Sequence, residues 1–218
     1  MIIHEPTTLL TDYLLAGLAA GLAWRLHRSR PATNLAAQWW SRALGLTAFS
    51  AFVGGSYHGF APNFPPAVAG LWWIGTLLNI NLLSAAMTLS LLHEVAPAGK
   101  QRPWLGLIAF KFTVLAGAAI IHPYFIVGII DYGLTLLAWA AAVLLLRRPW
   151  SGWMMAGIGL SIIAALVQQL GWAPAPHFNH NDLYHVIQAL AIGGFYRAAG
   201  KFSGAHPEQT RHAVGIGE

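Results

Sequence analysis

The sequence predicts an all-α, polytopic membrane protein, a bundle of seven transmembrane helices with its N-terminus outside and its C-terminus in the cytoplasm. Three observations carry this prediction. Of 218 residues, 56% are hydrophobic and only 9% charged, with a mean hydropathy of +0.56, whereas an ordinary soluble domain carries about a quarter charged residues. The charges fall mostly between long apolar runs, as expected where a charge inside the hydrocarbon costs several kcal/mol. Lys and Arg, finally, collect in alternate connections between those runs.

A helix needs roughly 20 mostly apolar residues to cross the hydrocarbon. Seven stretches qualify, at about 9–27, 36–60, 68–92, 104–121, 122–146, 151–172 and 181–202. The first follows eight residues without a basic region and has no clear small-residue cleavage site, so it reads as a retained span and not a signal peptide. In the first and second, Gly17 with Gly21 and Gly55 with Gly59 permit close helix approach. The third carries Asn79 and Asn81 at mid-depth, where amides hydrogen-bond between helices. The fourth and fifth part at Ile121-His122-Pro123, because proline removes a backbone donor and disfavours helix in the residue before it. The sixth follows the Arg147-Arg148 pair, and the seventh opens on the polar run at Asn179. Residues 1–8 form a short external segment, 9–202 one membrane domain, and 203–218 a polar, aperiodic cytoplasmic tail.

Basic residues mark the cytoplasmic side of a membrane protein. Arg25, Arg28, Arg30 and Arg42 surround the first connection, Lys100 and Arg102 the third, Arg147 and Arg148 the fifth, and Arg197, Lys201 and Arg211 the last helix end. The N-terminus and the second, fourth and sixth connections carry none. Of the twelve basic residues only Lys111 departs from this alternation; it lies two turns into the fourth stretch, from where it is expected to snorkel back. Trp39, Trp40, Trp72, Trp73, Trp104, Trp150, Trp153 and Trp172 fall near the expected ends, where an amphipathic ring is favoured. The net charge of +5 therefore reports topology, and no nucleic-acid partner is expected. The cell membrane is the expected location. The chain has no cysteine, which removes disulfides, thiolate zinc sites, iron-sulfur clusters and thiol nucleophiles.

With these depths assigned, the remaining ionisable residues gather toward the outer side. Asp12 opens the first stretch, His58 ends the second, His122 sits at the outer corner, and His180, Asp182 and His185 open the seventh. Asp131 lies nine residues into the fifth stretch, roughly 13 Å deep at the helical rise, and must be paired, protonated or facing water. Asn181 and Asp182 share a helical face with His185, four and three residues on. Asn179 also suits an N-cap with Asp182 at N3, an acidic first turn that the helix dipole favours. His58 and His185, on different helices near one side, form a pair of imidazoles suited to a metal site within a bundle.

Tyr57-His58 closing the second span and Asn181-Asp182-Leu183-Tyr184-His185-Val186 opening the seventh resemble the CREST superfamily, which joins alkaline ceramidases, the progestin and adiponectin receptors and hemolysin III-like proteins. The resemblance implies a seven-helix bundle holding zinc near the N-terminal side of the membrane. It matches His58 to the ligand on helix two and His185 to the second histidine of an H-x-x-x-H pair on helix seven. The other three positions of the motif depart. Asn181 stands for the first histidine of the pair, Gly54 for a serine, and Asn79 or Asn81 for an aspartate on helix three. A third ligand would then come from Asp131, His180, His122 or Asp12, with Asn181 supporting a ligand, and Ser56 lies two residues from the expected hydroxyl.

Two functions follow from these residues. The first is a zinc-dependent hydrolase of a lipid amide or ester, ceramidase-like by implication of the resemblance, with His58, His185 and His180 as metal ligands and Asp131 accepting the proton. Asn181, Asp182, Asn79, Asn81, Ser56, His122 and Asp12 would support the metal or bind substrate. The alternative is a non-catalytic lipid-binding or sensing protein that keeps the bundle with a degenerate metal site. A carrier built on Asp131 lacks visible inverted repeats, and a retinal protein lacks a lysine on the seventh span.

Overall fold

A computed structural model describes residues 2–204. Arg211 and the rest of 205–218, most of the expected tail, lie outside the described residues. Among the described residues the chain folds into seven α-helices: α1 (Pro6–Ser29), α2 (Leu35–Phe60), α3 (Pro66–Val95), α4 (Arg102–Ile121), α5 (Phe125–Leu146), α6 (Ser151–Leu170) and α7 (His180–Ala199). Of these α1, α3, α4, α5 and α6 are long and apolar enough to cross a membrane.

The helix ends follow local chemistry. Proline enters the first turn of α1, α3 and α4, where its missing N–H is no loss. Asn34 caps α2, accepting from the Ala37 N–H at 3.1 Å. At α7 the expected cap forms as a capping box: Asn179 Oδ1 accepts from the Asn181 and Asp182 N–H groups at 2.8 and 3.2 Å, and Asp182 Oδ2 accepts from the Asn179 N–H at 2.7 Å. Between α4 and α5 the chain turns at His122-Pro123, which Trp73 of α3 secures by donating from Nε1 to the Pro123 carbonyl at 2.8 Å. Gly171 ends α6 in a left-handed conformation, φ 65°, that glycine adopts without strain.

Six helices close a ring in the order α1, α2, α3, α5, α6, α7 and back to α1, while α4 stands outside it against α3 and α5. Two contacts in this ring depend on glycine. A Cβ at Gly55 would lie 2.6 Å from the Asp12 Cβ, and one at Gly157 would meet the Phe195 ring at 2.4 Å, so α1 with α2 and α6 with α7 approach only because those side chains are absent. At Gly59 the fit is tight but less strict, a Cβ lying 3.1 Å from the end of the Leu9 side chain. Gly17 and Gly21 do not share this role, since a Cβ at either would meet nothing within 4 Å.

Three expectations about depth are corrected. Trp40 and Trp150, placed by sequence at an interface, are 1% exposed and join Trp139 and Phe202 in an aromatic core. Edge-on and stacked contacts of 5.1 to 6.0 Å join these rings. Trp104 and Trp172 do lie on the surface. Lys111 does not snorkel back; its ammonium lies 2.5 Å from Asp131 Oδ1 between α4 and α5, because a buried carboxylate offers a partner that the apolar flank of α4 does not. The start of the expected tail also docks, since the Gly204 N–H donates to Glu94 at 2.8 Å.

Candidate functional site: a cavity with a polar mouth

The ring surrounds a cavity of about 580 Å³ lined by residues from all six of its helices and none from α4. Its walls run along α2 from His58 to Trp40, roughly 27 Å of helical rise. Leu44, Leu83, Met87, Leu136 and Ile192 make its interior apolar, and Trp40 and Phe195 close it at the end where the basic residues gather. Polar groups collect at the opposite end, where Asp12, His58, His180, Asn181 and His185 all line the mouth.

Helix α1 positions His185. Thr8, Thr11 and Asp12 occupy one face of α1 at helical spacing, and each meets α7 or its cap. Asn179 Nδ2 donates to Thr8 Oγ1 at 3.2 Å, His185 Nδ1 lies 3.0 Å from Thr11 Oγ1, and His185 Nε2 lies 3.1 Å from Asp12 Oδ1. Thr11 Oγ1 also lies 3.1 Å from the Thr8 carbonyl. When its hydrogen goes to that carbonyl, Thr11 accepts from His185 Nδ1–H; in the other tautomer Thr11 donates to Nδ1 and His185 donates from Nε2–H to the Asp12 carboxylate.

His58 is positioned by the segment before α1. Asn63 clasps Ile2 through both backbone groups, at 3.0 and 2.8 Å, and the His4 N–H donates to the Gly59 carbonyl at 3.1 Å. Glu5 is thereby set beside α2, with its Oε2 3.3 Å from His58 Nδ1. A proton on Nδ1 facing this carboxylate leaves Nε2 as the basic nitrogen. Deeper in the cavity, Tyr132 Oη lies 3.3 Å from Gln188 Nε2 and 3.4 Å from Ser161 Oγ, a second polar station in the apolar wall.

The other sequence candidates are spoken for elsewhere. Asp131 is not in the cavity wall. It lies between α3, α4 and α5, held by Lys111, by Asn81 Nδ2 at 2.7 Å and by Ser84 Oγ at 2.8 Å, while Lys111 also donates to Ser84 and Thr135 at 2.7 and 2.9 Å. Its role as proton acceptor at the histidines is therefore corrected to that of a buried ion pair. Asn79 donates to the Leu46 carbonyl at 2.9 Å and to Ser50, tying α3 to α2. Ser56 donates to the Phe52 carbonyl at 2.7 Å and meets Tyr13 Oη at 2.9 Å. Asp182 serves the cap of α7, and His122 ends α4 on the surface.

This donor arrangement does not fit zinc. Both ring nitrogens of His185 face protein partners, His58 Nδ1 faces Glu5, and no group of three or more His, Asp or Glu suited to a metal occurs among the described residues. A catalytic zinc takes three protein ligands, whereas His58 turns toward Glu5 and His185 toward Asp12.

The sequence profile of DUF6962, a family of unknown function, matches residues 7–203, which takes in all of the helical bundle but the first residue of α1. The chain belongs to DUF6962. Neither the curated proteins nor the solved structures contain a match to it. Within this DUF6962 chain, Thr11, Glu5, Tyr132, Ser161 and Gln188 escape sequence reasoning. Only Gln188 leaves a trace there, since Asn181, His185 and Gln188 repeat at helical spacing on one face of α7.

Proposed function

We propose that this DUF6962 chain is a seven-helix protein of the cell membrane, N-terminus outside, that binds a lipid-like amphiphile with its chain in the cavity and its polar head at the histidine mouth. The shape and polarity of the cavity carry this reading. It is long, apolar along its walls and closed by aromatic rings at one end, with hydrogen-bonding side chains concentrated at the other, the complement of a molecule with one hydrocarbon chain and one polar group. Its volume falls within the ~300–1,000 Å³ of ligand pockets. Ile162 and Leu166 line the cavity yet are 52% and 54% exposed on the flank of α6, so the wall between α5 and α6 gives onto the surface that lipid would cover.

Seven spans and the stated orientation are supported by the alternating basic connections. Helices α2 and α7 complete the count at 26 and 20 residues; their lower apolarity goes with the residues they turn into the cavity, His58 from α2 and Asn181, His185 and Gln188 from α7.

Gly133 lines the cavity, and a Cβ there meets nothing within 4 Å, so the side chain of Gly133→Phe starts in open space and is expected to fill the cavity. Lipid extracted from detergent-purified protein and identified by mass spectrometry is expected at near one equivalent in the parent and is expected to be lost in Gly133→Phe. Equal lipid in the two proteins contradicts the reading.

Hydrolysis of a lipid amide or ester is a second reading, favoured by the Glu5–His58 pair. A carboxylate on Nδ1 orients the ring and leaves Nε2 to take a proton from an attacking water. Turnover of a ceramide or of an acyl ester above a boiled control, falling about 10²–10⁴-fold in His58→Ala, supports it; no turnover by the parent with or without added zinc removes it.

A further inference from the structure

A second concavity of about 590 Å³ lies on the outside of the ring, where α2 and α4 both pack on α3 and leave α3 as its floor. Along α4 it extends from Leu105 to Thr113, roughly 12 Å of helical rise, with alanine and leucine side chains such as Leu82, Ala85 and Ala109 forming its surface. Arg42 lines it, seven residues into α2 from the end where the basic residues gather, roughly 10 Å along the helix.

Like the other arginines among the described residues, Arg42 meets no carboxylate, and its guanidinium lies 4.3 Å over the face of Trp39; what sets it apart is its place, exposed in the wall of an apolar groove and two turns into its helix. An exposed arginine two turns along a span is stabilised by an anion or by reaching the interface, and its planar fork suits a phosphate held through two parallel hydrogen bonds. We propose that this groove binds one anionic phospholipid of the leaflet on the basic side, with its phosphate on Arg42 and an acyl chain along α3 between α2 and α4. Arg102 opens α4 one turn before Leu105 and adds a second positive charge at the same end. The inference rests on the membrane reading above but not on occupancy of the central cavity.

The test uses detergent-purified full-length protein titrated with dioleoylphosphatidylglycerol or dioleoylphosphatidylcholine and read by native mass spectrometry. The phosphatidylglycerol is expected to bind more tightly. Arg42→Gln should weaken it about fivefold, the effect of one basic residue at a lipid surface, and weaken phosphatidylcholine less, since choline neutralises the charge of the same phosphate. Ala109 is exposed in the groove, so Ala109→Phe narrows the site with Arg42 intact and should also reduce phosphatidylglycerol binding. Arg197, which lies over Trp153 at the same end of the bundle, serves as the control, and Arg197→Gln should have no effect. Equal affinity of the parent for both lipids, unchanged binding in Arg42→Gln or Ala109→Phe, or an equal loss in Arg197→Gln overturns the proposal. Loss in Gly133→Phe would place the lipid in the central cavity and overturn it as well.

Discussion

At position 55 one methyl group decides whether α1 and α2 can approach. Its Cβ would fall 2.6 Å from that of Asp12, the partner of His185, so Gly55→Ala is expected to lower stability by about 1–3 kcal/mol in thermal unfolding in detergent. Gly17→Ala, at an open position, should be neutral or stabilising by up to about 1 kcal/mol through helix propensity. Sequence spacing alone treats the two glycines alike, because it shows a small residue without showing what faces it. The same limit hid the partner of Asp131. Its burial and need for compensation were legible from depth, but Lys111 lies on another helix and its ammonium could equally have reached the interface. Removing one charge strands the other, so Lys111→Met should cost about 3–5 kcal/mol, and Lys111→Met with Asp131→Leu should recover most of it. Recovery in the double variant is the informative readout, since it separates an ion pair from a simple packing role.

Each helix was visible as an apolar stretch, and the boundaries follow signals that act within a few residues: prolines in first turns, the His122-Pro123 corner, and the Asn179 cap with Asp182 at N3. That cap is also a tertiary contact, because Asn179 donates to Thr8 of α1. Asn179→Ala is expected to destabilise by about 1 kcal/mol from the cap alone, and Asn179→Asp, which keeps the capping oxygen but loses the amide donor, should recover part of the loss in the same unfolding measurement. What the helical pattern does not encode is the order of neighbours. Helix α4, apolar apart from Arg102, Lys111 and Thr113 and buried along little of its length, stands outside the ring. By length and composition it reads as a span like α5, which lines the cavity. The site inherits this limit: Asp12, His58, Asn181 and His185 are recognisable as outer polar residues, whereas Glu5 and Thr11, which meet the two histidines, become visible only when α1 and the residue before it pack against α2 and α7.

For the whole molecule, orientation and contents are the claims that matter. The absence of cysteine makes orientation accessible, since single cysteines introduced at Thr33 between α1 and α2 and at Asn63 between α2 and α3 are the sole thiols in each protein. A membrane-impermeant maleimide applied to intact cells is expected to label position 63 and to spare position 33 until the membrane is opened. The reverse pattern inverts the assignment without affecting the cavity. The contents are tested most directly by photo-crosslinking with a palmitoyl lipid that carries a diazirine at the end of its chain, followed by peptide mapping. Adducts are predicted at Met87 and Leu136, which are 2% and 5% exposed and line the cavity far from its mouth, and these adducts should disappear in Gly133→Phe. Labelling confined to outward-facing positions such as Leu137, 67% exposed, and unchanged by that substitution would contradict a lipid inside the ring.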